Sequence, residues 1–94
     1  MGEAGAADVA DAEYELSRAM NELCEYDVVR VESLTSARPD QHVSSRQPAI
    51  GDSGTIVFVL APNEFLVESV AGDGRTVWLC DFSASDLSLV WRPA

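Results

Sequence analysis

The sequence predicts a mainly β protein (α+β by count), a small curled barrel of five strands with an added N-terminal amphipathic α-helix. Three observations predict it. The stretch from Ile50 to Leu87, IGDSGTIVFVLAPNEFLVESVAGDGRTVWLCDFSASDL, alternates short apolar runs with turn residues. Asp73-Gly74 between two of those runs is the strongest hairpin signal, because a two-residue primed turn needs the positive φ that Asp and Gly tolerate. Val9, Ala12, Leu16, Ala19 and Leu23, with Met20 beside them, recur at spacings of three and four and lay an apolar stripe along one helix face. With 94 residues, 47% of them apolar, the chain suits one domain with a real core and is too apolar for disorder.

The elements follow in order. Residues 1–7 are rich in Gly and Ala and read as a frayed terminus. The helix is expected at 8–24, with Asp8 as N-cap and further acids in a first turn that the helix dipole favours. Its stripe is expected to pack on the chain's own barrel, with a partner or dimer contact as the other option. The barrel domain takes 25–94. Its first strand falls at 26–32, YDVVRVE, rich in Val. A polar connection at 34–49, LTSARPDQHVSSRQPA, follows, and connections this long are usually functional or mobile. Strands are expected at 54–60, 64–70 and 75–82, then one 3₁₀ turn at Ser83-Ala84-Ser85-Asp86 and a last strand at 87–91.

Pairing across Asp73-Gly74 puts Phe65, Val67 and Ser69 on one face with Trp78, Cys80 and Phe82. Leu66, Glu68 and Val70 share the other face with Val77, Leu79 and Asp81. Both faces are substantially apolar, so something is expected to cover the second: the helix or another protein.

Sixteen acids stand against six bases, all arginine, for a formal charge of −10. Residues 1–25 hold seven of the acids and only Arg18. Such a field repels nucleic-acid phosphate and anionic membrane and speeds encounter with a basic partner. No apolar run approaches the roughly 20 residues that cross a bilayer. The N-terminus has neither the basic region nor the apolar stretch of a secretory signal, so a cytoplasmic protein is expected. Cys24 and Cys80 are then expected reduced and buried.

No catalytic, cofactor or metal constellation stands out. His42 is the single histidine, in a polar loop without a second ligand beside it. No serine sits in a nucleophile elbow. Gly51-Asp52-Ser53-Gly54 precedes a strand and lacks a lysine, which fits a turn rather than a phosphate loop. Asp52, Asp73, Asp81 and Asp86 match no calcium-loop spacing and read as turn and capping residues.

YDVVRV at 26–31, IGDSGTIVFV at 50–59, FLVESVAGDGRT at 65–76 and SASDLSLV at 83–90 together resemble the bacterial family known as domain of unknown function 4926. The resemblance spans about residues 25–91 and implies a small SH3-like barrel. The Gly-Asp-x-Gly-Thr-Ile-Val segment is also similar to KOW-type and nitrile hydratase β-subunit barrels. The family supplies no catalytic residues, and its members look like gene neighbours of toxin-like proteins, which implies an antitoxin or immunity role. Three departures stand out: the helical N-terminal segment, the longer 34–49 connection, and apolar Leu66 and Trp78 where smaller or polar residues are expected.

A non-catalytic protein-interaction module is therefore expected, one that neutralises a basic partner such as a nuclease toxin through complementary charge. The residues expected to bind are Glu13, Glu15, Glu22 and Glu25, with Asp40, His42 and Arg46 of the long loop. The alternative is a small accessory subunit of a multisubunit enzyme, nitrile hydratase β-like, binding through the helix stripe and Leu66, Trp78 or Trp91 and tolerant of salt. A homodimer is left open.

Overall fold

A computed structural model describes residues 22–94. Six antiparallel strands form one sheet: β1 (Val28–Val31), β2 (Arg38–Pro39), β3 (Ser53–Ala61), β4 (Glu64–Val70), β5 (Thr76–Ser83) and β6 (Leu87–Trp91). Their order across the sheet is β2-β5-β4-β3-β1-β6. The mainly β expectation is met. The outer strands β2 and β6 are not hydrogen-bonded to each other, so the sheet is unclosed, and it has six strands where five were expected. The sixth is β2, inside the stretch that the sequence marks as loop.

Most of the helix expected at 8–24, and the frayed terminus at 1–7, lie outside the described residues. Positions 22–24 are not helical, and among the described residues the one helical piece is the 3₁₀ turn Ala84–Asp86 between β5 and β6.

Alternation sorts the side chains as the pairing argument requires. Phe65 lies opposite Phe82, Val67 opposite Cys80 and Ser69 opposite Trp78. All of these except the half-buried Ser69 join Leu23, Val29, Val31 and Ile56 in one core on the inner face of the curled sheet. Trp78 and Phe82 meet edge to face, with centroids 5.9 Å apart and planes at 68°, the arrangement that aromatic quadrupoles favour. On the outer face Leu66, Glu68, Val77, Leu79 and Asp81 are half-buried, and Val70 is exposed.

The β4–β5 hairpin differs from the predicted two-residue turn. Ala71 N–H donates to the Arg75 carbonyl (2.8 Å) and Gly74 N–H to the Ala71 carbonyl (2.9 Å), which leaves Gly72-Asp73-Gly74 as a three-residue loop. Gly74 takes a φ of 90°, whereas Asp73 keeps a negative one. A loop of this length needs one left-handed residue after the turn, and the glycine fills it. Asp73 instead accepts the Arg75 N–H (3.0 Å).

The two glycines of Gly51-Asp52-Ser53-Gly54 do different work. Gly51 has a φ of 95° and supplies backbone freedom. Gly54 is buried in β3, where a Cβ would lie 2.8 Å from Val67 Cγ1 and 3.1 Å from Trp78 Cη2. Its missing side chain makes the space in which Trp78 sits.

Candidate functional site

Three aspartates hold the loops to the sheet. Asp86, 1% exposed at the end of the 3₁₀ turn, is the most saturated. Its Oδ1 accepts the Ser33 and Thr35 hydroxyls, the latter at 2.7 Å. Its Oδ2 accepts the Ser36 N–H (2.7 Å) and the Ser36 hydroxyl (2.5 Å). Burial alone would raise the Asp86 pKa, but these four donors outweigh it and hold the carboxyl well below the usual carboxylate range. The Ser36 Oγ also accepts the Ser83 N–H (2.8 Å), so residues 33–36 are fastened to both ends of the 3₁₀ turn.

Asp27, fully buried, fastens the two ends of the described chain. Arg92 grips it with Nε on Oδ1 (2.9 Å) and Nη2 on Oδ2 (2.8 Å), and Cys24 N–H adds a third bond (2.8 Å). Burial pushes this carboxyl up, but Arg92 and the Cys24 N–H more than offset the rise and the pKa is lowered. The same Arg92 Nη2 donates to the Glu22 carbonyl (2.7 Å).

Asp52 serves the third junction. It takes the Arg46 guanidinium (2.7 Å), the Trp78 indole N–H (2.9 Å) and the Ala49 N–H (2.9 Å). Arg46 is the main reason its pKa falls. The expected turn and capping roles fit Asp52 and Asp73 but not Asp81, which lies within β5 opposite Leu66; Asp86 goes further and is a buried hub. No sequence signal beyond the serines and threonine at 33–36 points to it, and those are 50 or more positions away in the chain.

The predicted binding residues fall into separate groups. Glu22, Glu25 and Trp91 are exposed where the chain joins β1 and β6. Asp40, His42 and Arg46 lie along the outer edge of β5, at the other side of the sheet. There Asp40 N–H donates to the Leu79 carbonyl (2.7 Å) and Ser45 N–H to the Val77 carbonyl (2.8 Å). Asp40 Oδ1 accepts the His42 N–H, and Arg46 is committed to Asp52. Leu66 is half-buried in β4 between the two groups. Trp78 is in the core with no exposed surface, so it offers a partner nothing to touch. Glu13 and Glu15 lie outside the described residues.

Both cysteines are free, but only Cys80 is buried, its thiol pushed up to about 11 mainly by desolvation. Cys24 is exposed, because Asp27 pulls its backbone, rather than its side chain, into the fold. Among the described residues no three His, Cys, Asp or Glu side chains gather as metal ligands, and no helix is long and apolar enough to cross a membrane. A shallow polar hollow of about 240 Å³ of open space is lined by Ser36, Arg38, Glu64, Asp81, Phe82 and Ser83.

Sequence reasoning did not single out Tyr26 or Phe58. Both are aromatic and largely exposed, Tyr26 at 60% and Phe58 at 55%, and Trp91 at 59% belongs with them.

These features define a small antiparallel β domain whose loops are fastened by buried carboxylates and whose exposed aromatics gather at one end. Residues 25–89 match the family described as domain of unknown function (DUF4926), and the chain belongs to it. No curated protein and no solved structure matches the chain.

Proposed function

We propose that this protein is a non-catalytic protein-interaction module that neutralises a basic partner such as a nuclease-type toxin encoded beside it. The observation that carries the reading is the acidic balance, −10 with no lysine, together with the exposed Glu22 and Glu25 at the chain's entrance to the sheet. A further support is that the buried carboxylates Asp27 and Asp86 are saturated by internal donors, which suits a scaffold better than proton transfer. The curled sheet over one core suits an SH3-like arrangement that lacks the last closing ladder, and cytoplasmic placement goes with this reading. Carboxylates would occupy a site on the partner that normally receives phosphate, with fast, salt-sensitive association.

Co-purification of the full chain with the product of the adjacent gene, followed by a salt series, tests this. The expected result is a complex that weakens steeply with salt. A complex indifferent to salt, or none at low salt, contradicts it. The exposed apolar residues around Trp91 favour a second reading, an accessory subunit of a larger enzyme, in which the complex would survive high salt.

A further inference from the structure

Three departures from regular backbone meet at one end of the sheet, and each exposes an aromatic side chain. The first is in β3. Thr55 pairs with Glu68 and Ile56 with Val67, but Phe58 then pairs with Leu66, so Val57 is an extra residue. Strict alternation from Ile56 would turn Phe58 inward; the bulge turns it to the outer face with Leu66. The second is in β6, where Leu89 pairs with Val29 and Trp91 with Val28, leaving Val90 extra. Val29 is buried and Val28 lies on the outer face, so this bulge likewise turns Trp91 outward. The third is Tyr26, the only described non-glycine residue with positive φ (76°), a conformation that costs a side-chain-bearing residue about 1–3 kcal/mol.

The ladder brings the three together. Val28 is paired on one side with Thr55 and on the other with Trp91, and Tyr26 N–H donates to the Ile56 carbonyl (2.7 Å). Tyr26, Phe58 and Trp91 thus stand on three neighbouring strand paths at one end, around the half-buried Val28. Bulges re-aim side chains near functional sites, and strained residues persist where the surroundings over-determine them. Large exposed aromatics are also the side chains that most often anchor protein interfaces.

Charge selects the occupant. Glu22 and Glu25 flank Tyr26 and are exposed, while Arg92, next to Trp91, is bound to Asp27. The local surface is therefore aromatic with a negative rim at Glu22 and Glu25, and the exposed Arg30 lies two residues beyond Val28 along β1, away from that rim. A second copy would bring the same carboxylates and a total charge of −10 against them. Residues 1–21 of the chain carry five acids and one arginine, so their charge does not complement the surface, whatever their apolar stripe covers.

We infer that the end of the sheet formed by Tyr26, Phe58 and Trp91, edged by Glu22 and Glu25, is the docking surface for a partner segment that alternates arginine or lysine with apolar residues. This rests on the interaction-module reading and names its surface. Apolar side chains would pack among the rings, and cations would lie over ring faces or against the carboxylates.

A ten-residue peptide alternating Arg and Leu, titrated into the ¹⁵N-labelled full chain, tests it. The Trp91 indole N–H and the amides of Tyr26 and Phe58 should shift while the buried Trp78 indole N–H stays in place. Peptides alternating Gln with Leu, or Arg with Ser, should bind at least about tenfold more weakly. Trp91→Ser should lower affinity about tenfold without changing the melting temperature. Equal binding of the Arg-Ser peptide overturns the surface in favour of bare charge, and equal binding of the Gln-Leu peptide overturns it in favour of unspecific apolar contact. Trp91 shifts that follow protein concentration alone would assign the surface to a second copy. A Trp91 indole N–H already shielded from a soluble paramagnetic agent in the peptide-free, monomeric full chain would overturn the proposal and assign the surface to residues 1–21. If the natural partner binds with steep salt dependence and Trp91→Ser leaves that binding intact, this surface is wrong while the broader reading stands.

Discussion

The loop at 33–46 and the aromatic end of the sheet invert what their compositions suggest. The loop is polar, carries one of the chain's four prolines with four serines and a threonine at 33–45, and has the composition of a mobile segment. Yet Asp86 takes four hydrogen bonds from residues 33–36, and residues 38–45 run along β5, with Ser44 and Ser45 bonded to its backbone. That arrangement covers the edge of β5 that would otherwise be open to another strand. The aromatic end is built from two strand residues, Phe58 and Trp91, and from Tyr26 in the turn before β1, all of core-like chemistry, and is left open. Buried hydrogen-bonding capacity, rather than polarity, decides which part of a small domain is fixed.

The largest expected effect breaks the first half of this contrast. Asp86→Ala strands the donors of Ser33, Thr35 and Ser36, and should cost about 3 kcal/mol or more in chemical denaturation. A loss below about 1 kcal/mol would mean that the loop holds itself. Next comes Gly54→Ala, whose Cβ must displace Val67, Trp78 or the β4 backbone and should cost about 1–3 kcal/mol. Because its φ is ordinary, an unaltered melting temperature in this variant would show that Trp78 has slack around it.

Acid should act through the same carboxylates. Asp27 and Asp86 have pKa values lowered in the folded state, against about 3.9 unfolded. Their contribution is therefore fully present above about pH 5, and is lost as the pH falls below about 4 toward the folded-state values. Melting curves from roughly pH 7 to 2 should show this decline, and Asp86→Asn should flatten it. A variant with the wild-type slope would place the acid sensitivity elsewhere.

The smallest stability effects belong at the aromatic end. Trp91→Ser should change stability by no more than about 0.5 kcal/mol, because the ring is mostly solvated. Tyr26→Gly should leave stability level or slightly higher, since glycine takes a φ of 76° without strain. A marked loss in either variant would move that residue from the open surface into the fold.

Much of the sheet was legible in the sequence. The strands at 64–70 and 87–91 fall at the predicted residues, those at 53–61 and 76–83 within one, and the two sides of the β4–β5 pair carry the predicted residues. These follow from period-two alternation, a local signal. What was hidden depends on contacts far apart in the chain. The two-residue β2 is a strand only because β5 is beside it. Asp86 resembles any capping aspartate until residues 33–36 fold over it. The bulges at Val57 and Val90 leave no mark in composition, so in the sequence Phe58 reads as another strand residue, and Trp78, which is buried, reads as no less fit for a surface role than the exposed Trp91. Of the predicted site, Glu22, Glu25 and Trp91 come together, and the Asp40–Arg46 group lies across the sheet from them.

Amide hydrogen exchange on the full chain tests the contrast between the fixed loop and the open end most directly. The account predicts that Ser36, Asp40 and Ser45, whose N–H groups bond to Asp86, Leu79 and Val77, exchange as slowly as nearby strand amides of β5, and that Asp86→Ala releases Ser36 first. Exchange of these three amides at the rate of an unstructured chain would contradict it.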